Sequence, residues 1–309
     1  MRLLKYKLLS LSSNLNSFHF LLKDLKLLRV WFFLLFSFSV FAQDNKLEFL
    51  RLTDNALQTP IYTLSNKDSS IRVKVIGVIH VGDLRYYQQL QRIIRDLDYL
   101  FYEGIKMTYS SKSAVGLIGV KNEPDRTKQD VKTFSNLQNQ IAISFKFVEQ
   151  ADYLKPESNW INADVNLNQF TEILQKTNLS LEELSRNLTL DNRNIFEQDN
   201  ESRESLRNET DQNKVLLWYK KKMAGYLVKS AKDLCFNEEM RIPREAIIVE
   251  RNKVALGYLR EKLINTNPSE LGLLYGAAHI PHFVETLKKD HDLEINSIEW
   301  VDAWSLKTN

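Results

Sequence analysis

An α/β fold, with a central mostly parallel sheet flanked by helices, is the architecture this chain predicts, and three observations carry it. Ile71-Arg72-Val73-Lys74-Val75-Ile76-Gly77-Val78 is β-branched and becomes continuously apolar toward its end, as a buried strand does. A helical pattern follows it, and then a second short apolar run, Tyr99-Leu100-Phe101-Tyr102, so that strand, helix and strand alternate. Near the C-terminus Leu271-Gly272-Leu273-Leu274-Tyr275 repeats the buried-strand pattern and passes through Gly276 to His279 into another helix start.

The first helix is expected from Leu84, with Gly82 as a turn residue and Asp83 as N-cap. Leu84, Tyr87, Leu90, Ile93, Ile94 and Leu97 make its apolar face. Lys106 to Asp130 is polar, with Gly and Pro, and reads as a loop or flap; Phe134 to Val148 reads as helix. Short helices are expected at Leu167–Leu174 and Leu181–Leu188, with a mobile connection over Asp191–Asn213. Val215 to Phe236 is a longer helix, and Pro243 opens another that runs to Leu263. Pro281 sits where a first helical residue belongs, Phe283 to Lys289 continues that helix, and Leu293 to Trp300 is the final strand. Helices therefore dominate about 131–264, which reads as a helical insertion between the two Gly-x-x-His halves of a single domain over 43–309.

Composition bounds the function. The 309 residues carry a formal net charge of +3 with the basic residues dispersed, which argues against a dedicated nucleic-acid binder. Cys235 is the single cysteine, so neither an internal disulfide nor a cysteine-based zinc site is available; a lone thiol of this kind reads as a small buried hydrophobe. Lys23, Lys26 and Arg29 precede an apolar run from Val30 to Phe41, and Val40-Phe41-Ala42 ends it with small or modest residues. Residues 1–42 thus read as a secretory signal peptide whose apolar core is shorter than the ~20 residues that span a bilayer. Its basic leader, Met1–Leu28, is long, so the true start is expected downstream of Met1. The chain is expected to be exported, periplasmic or secreted, and to meet the membrane only during export. Asn178, Asn187, Asn200 and Asn208 lie in glycosylation-type sequons, which an Asn-rich chain also produces by chance.

The two strand-to-helix turns carry the chemistry. Gly77-Val78-Ile79-His80 and Gly276-Ala277-Ala278-His279 each place a histidine three residues after a glycine, beyond the end of an apolar strand. Ligands in open α/β sheets gather there. One such histidine is most simply structural; two in the same context point to a shared site. His282 reads as an exposed helix residue or an extra ligand, and His291 as a surface loop residue. Glu103 ends the strand after the first turn, so its carboxylate is expected beside His80, either in the chemistry or as an ion-pair partner of Arg251. Arg251 lies in an otherwise apolar helical setting, and an inward arginine there calls for a carboxylate or an anionic substrate.

These pieces resemble the TraB/GumN family, also called TIKI-like, within the erythromycin-esterase-like superfamily. The resemblance runs from Val73 to Trp300 through Gly77–Gly82, Asp98–Glu103, Leu137–Gln140, Glu149–Tyr153, Trp160–Asp164, Glu250-Arg251-Asn252 and Tyr275–Pro281, in the family's order. It implies one site made by His80, Glu103, Arg251 and His279, with Glu149 and Asp164 as weaker additions; read locally, those two are a solvated helix residue and a helix cap. It also implies a metal-dependent hydrolase, metalloprotease-like, in which His80, Glu103 and His279 hold a divalent ion (Zn, Mn or Co) against a peptide or small-molecule substrate. Arg251 would then stabilise an oxyanion or hold an anionic substrate end. A metal-free histidine-based hydrolase and a non-enzymatic exported protein that binds a peptide or cofactor are the alternatives. His282 departs from the family pattern, where glycine is common.

Overall fold

The computed structural model describes residues 47–106, 141–180, 211–266 and 268–307. The signal-peptide segment 1–42, most of the 106–130 loop, the start of the Phe134 helix and the expected helix and connection over 181–210 lie outside the described residues.

The strands are β1 (Arg51–Leu52), β2 (Ala56–Ser65), β3 (Arg72–Val78), β4 (Val81–Gly82), β5 (Tyr99–Tyr102), β6 (Val148–Glu149), β7 (Trp160–Asn162), β8 (Glu270–Gly276) and β9 (Glu294–Ser305). The main sheet is mixed and its centre is parallel. β3, β8, β5 and β7 lie side by side in that order, all parallel, and β2 joins β3 antiparallel with β9 beyond it. The expected strands are therefore present as a mostly parallel sheet flanked by helices, and β2 is an addition to them. Pro60 lies within β2, paired with Trp300 of β9, after the pairing with β1 ends at Gln58 and before the pairing with β3 begins at Ile61. That is the stretch where a missing N–H is tolerated on that side.

Helix α1 (Leu84–Ile94) buries Tyr86, Tyr87, Leu90 and Ile94, with Asp83 at its N-cap position. Its tyrosines fix the first turn. The Tyr87 hydroxyl donates to Ile79 O (2.7 Å), Tyr86 donates to Gly77 O (3.2 Å), and Ile79 N donates to the Tyr86 oxygen (3.3 Å). Gly82 is not a free turn: Val81 and Gly82 form β4, paired antiparallel with β6. The helix expected to reach Val148 stops at Phe145, because Lys146 takes a left-handed φ of 58° and the chain then turns into β6. The short helix α2 (Gln150–Tyr153) follows. α3 (Leu167–Lys176) opens on a reciprocal capping box between Asn166 and Gln169.

α4 (Gln212–Phe236) is followed by α5 (Arg241–Arg244), a π-turn over Glu245–Val249 and α6 (Glu250–Thr266). Pro243 thus sits inside the first turn of α5 rather than opening the helix, a position where its missing N–H costs little. The span 131–264 contributes β6 and β7 as well as helices. α7 (Ile280–His291) has Pro281 in its first turn and ends on the left-handed Asp292, so His291 closes a helix instead of lying in a loop. β9 runs past Trp300 to Ser305, and Trp304 is buried against Phe147 (ring centroids 4.9 Å apart) with its Nε1 donating to Val81 O. Cys235 is buried and burial pushes its thiol well above the ordinary range, as an inert core residue. Among the described residues no helix is long and apolar enough to cross a membrane.

Candidate functional site at the C-terminal edge of the sheet

Four adjacent parallel strands each release one candidate side chain at the same edge. β3 leads to His80, β8 to His279, β5 to Glu103 and β7 to Asp164. The register brings the two histidine turns together: Gly77 pairs with Tyr275 and Val78 with Gly276. Glu103 N then donates to Leu274 O, keeping the tip of β5 beside β8. The turns pack so closely that a Cβ on Gly77 would lie 3.3 Å from the Ala277 backbone and 3.2 Å from the Ile280 and Pro60 side chains. Glycine suits that approach, since any Cβ would press on its neighbours.

Arg251 organises the charges from α6. Its Nε donates to Asp164 Oδ1 (2.9 Å) and its Nη2 to Asp164 Oδ2 (2.6 Å) and Glu103 Oε1 (2.7 Å). Its Nη1 donates to Ile247 O (3.3 Å) in the π-turn, where Glu250 N bonds five residues back to Glu245 O. The π-turn shifts the helical register just before Arg251. The remaining donors to the carboxylates are backbone: Gly104 N and Val165 N on Asp164, and Gly276 N on Glu103 Oε2 (2.7 Å). Arg251 is therefore committed to two protein carboxylates and the Ile247 carbonyl. It fixes Glu103, the ion pair raised as an alternative role, rather than standing open to an oxyanion or an anionic substrate end.

The charge count is uneven. One guanidinium faces two carboxylates, and side-chain exposures are 1% for Arg251, 5% for Glu103 and 0% for Asp164. One negative charge is left over in a site nearly free of solvent. Burial on its own would raise the Glu103 carboxyl; the nearby His279 and Arg251, with a smaller pull from His80, reverse this and hold it well below the usual carboxylate range. Arg251 is held charged, its own burial penalty overcome by Asp164 and Glu103.

Both histidines are tied back through Nδ1. His80 Nδ1 lies 2.8 Å from Gln150 Oε1, and Gln150 N donates to His80 O. His279 Nδ1 lies 2.5 Å from Asn252 Oδ1. Facing amide oxygens, which only accept, both Nδ1 atoms donate. His279 Nε2 is fully buried, makes no hydrogen bond and sits 3.5 Å from Glu103 Oε1. Burial keeps His279 on the neutral side of its usual behaviour, opposed by Glu103.

The structure thus gathers Glu103, Arg251 and His279 with Asp164, and sets His80 on the neighbouring strand end. Asp164 is no helix cap; Asn166 caps α3, and Asp164 is the bidentate partner of Arg251. Glu149 lies half-buried in β6, paired with Val81 next to the His80 turn. His282 is not an exposed helix residue: its Nδ1 lies 3.2 Å from Asn252 Nδ2, and burial, then His279 and Lys253, push its pKa down to about 4. Asn252 and Gln150, which orient the histidines, were visible only as members of the motif pieces that surround Arg251 and Glu149.

A divalent ion would find suitable donor types here. The chemistry fits, because ligating histidines bond through the second ring nitrogen to a partner that fixes the tautomer, as both do here. The placement is looser: among the described residues no three His, Cys, Asp or Glu groups stand close enough together to hold an ion between them. No family model, curated protein or solved structure matches the chain.

Proposed function

We propose that the protein is an exported metal-dependent hydrolase of the TraB/GumN type, acting on peptides or related small amides. The observation that supports this most is the surplus negative charge of the buried Arg251–Glu103–Asp164 cluster, set 3.5 Å from the unpartnered Nε2 of His279. Two lone-pair acceptors facing each other in a dry site call for a cation between or beside them. In this reading His80, Glu103 and His279 would hold the ion once drawn closer together than they stand here, with about 131–264 as a helical insertion between the two halves. A divalent ion held there would supply a bound water acidic enough to ionise near neutral pH.

The chain's own residues do the rest. Arg251 and Gly276 N hold both oxygens of Glu103, so the carboxylate keeps its orientation and its charge. His279, tied back by Asn252, presents Nε2 as a ligand or a proton acceptor. Ala277 and Ala278 keep the second turn small. The short separation of His279 Nε2 and Glu103 Oε1 also suits a metal-free variant, in which Glu103 orients His279 as general base.

The test is hydrolysis of a mixed peptide library by the purified chain, with and without chelator, beside His80→Ala. The expected result is activity lost with chelator, restored by zinc, manganese or cobalt, and reduced at least ~100-fold in the variant. Chelator-resistant activity lost in His279→Ala would select the metal-free reading. Peptide capture without turnover, unchanged by Glu103→Ala, would leave a binding protein instead.

A further inference from the structure

Asn252 lies one residue after Arg251 on α6, is fully buried, and has no part in the charge network. Its amide orientation is fixed by the main chain. Asn252 Nδ2 sits 3.2 Å from His279 O, and a carbonyl oxygen only accepts. The other amide atom facing His279 Nδ1 is therefore the oxygen, at 2.5 Å. An amide oxygen also only accepts, so Nδ1 must donate. A neutral imidazole has one N–H, which leaves Nε2 bare.

That outcome runs against the local electrostatics. Nε2 is the nitrogen that faces Glu103, at 3.5 Å. An imidazole free to choose would place its proton there and donate it to the buried carboxylate. Asn252 sets against this an acceptor for Nδ1 and a donor to the His279 carbonyl, gripping both the ring and the backbone of the same residue. The same amide nitrogen is 3.2 Å from His282 Nδ1, which accepts in turn, so the proton of His282 sits on its Nε2. His282, Asn252 and His279 thus form a chain of bonds polarised in one direction.

We propose that Asn252 is a positioning residue that sets the tautomer of His279, keeping the Nε2 lone pair turned toward Glu103. What Nε2 then does, binding an ion or accepting a proton, rests on the function proposed above; the tautomer itself rests on the bonding alone.

The experiment is long-range 1H–15N NMR of the full chain labelled with 15N-histidine, in chelator, at mildly alkaline pH. The His279 signals are assigned by their loss in His279→Gln. Wild type is expected to show a protonated-type Nδ1 and a bare Nε2. Asn252→Leu, which fills the space without an acceptor, is expected to move the proton to Nε2. Asn252→Asp, which keeps an acceptor before Nδ1, is expected to leave it on Nδ1. A wild-type His279 protonated at Nε2, or at both nitrogens, overturns the proposal, as does an unchanged tautomer in Asn252→Leu. The wild-type spectrum decides the question even if the leucine variant does not fold. Zinc titration separates this claim from the function: affinity is expected to fall ~10–100-fold in Asn252→Leu and to be largely kept in Asn252→Asp. If wild type has the stated tautomer and binds no zinc, the metal reading fails and the role of Asn252 stands.

Discussion

Replacing Arg251 by methionine removes the guanidinium that the structure places against two buried carboxylates while keeping most of the apolar volume. Asp164 loses both guanidinium bonds and Glu103 loses one, and each retains only backbone donors: Gly104 N and Val165 N for Asp164, Gly276 N for Glu103. Breaking a buried ion pair from one side costs about 3–5 kcal/mol, because the partner stays buried and uncompensated. For a domain of this size that lowers the melting temperature by roughly 10 °C. The loss also depends on pH. In wild type Glu103 has a depressed pKa, so its contribution is present above the ordinary carboxylate pKa and fades as pH falls below it. Without the guanidinium, burial dominates and the carboxyl pKa rises, so the variant regains stability on acidification. Urea unfolding followed by circular dichroism should show a gap that is widest at neutral pH and narrows in acid. A loss below ~1 kcal/mol, the scale of a surface ion pair, or a gap independent of pH, would refute the buried-cluster argument.

Three further outcomes follow from the packing. Gly77→Val is expected to disrupt the junction of the two histidine turns, because Ala277 backbone lies 3.3 Å from the first added carbon; ~1–3 kcal/mol of stability and zinc binding should fall together, measured by unfolding and titration. Trp304→Ala is expected to cost about 3–5 kcal/mol, since the indole is fully buried and its Nε1 bonds Val81 O; a near-neutral result would place the end of β9 outside the core. His282, with its pKa lowered from 6.5 to about 4, contributes stability that is present above pH 6.5 and is lost as pH falls toward 4. His282→Gln should flatten that part of the stability profile, and an unchanged profile would show that His282 is not buried as described.

β3, β5 and β8 were legible because parallel strands buried on both faces read as largely apolar runs; β7, only three residues long, was not. His80, His279 and Glu103 were legible as strand-end residues, but Glu103 was expected beside His80; β8 lies between β5 and β3, and Glu103 meets His279 instead. β2 was not legible: Gln58, Thr59 and Pro60 break its pattern, and what makes it a strand is the pair of partners on either side. The π-turn before Arg251 leaves no compositional trace, since it differs from α-helix by one residue of hydrogen-bond register. Asp164 looked like a cap because an aspartate between a strand and a helix usually is one. His282 looked exposed because periodicity cannot tell that Asn252 of α6 covers that side of α7. Asn252 and Gln150 act through side-chain bonds between elements far apart in sequence, and nothing local announces such a pairing.

The most direct test of the central claim, that both histidine turns serve one site demanding a cation, is zinc titration by calorimetry of wild type, His80→Ala and His279→Ala. One ion per chain in wild type, with binding lost or greatly weakened in each variant, is the predicted result. Equal binding in all three, or none in any, would contradict it.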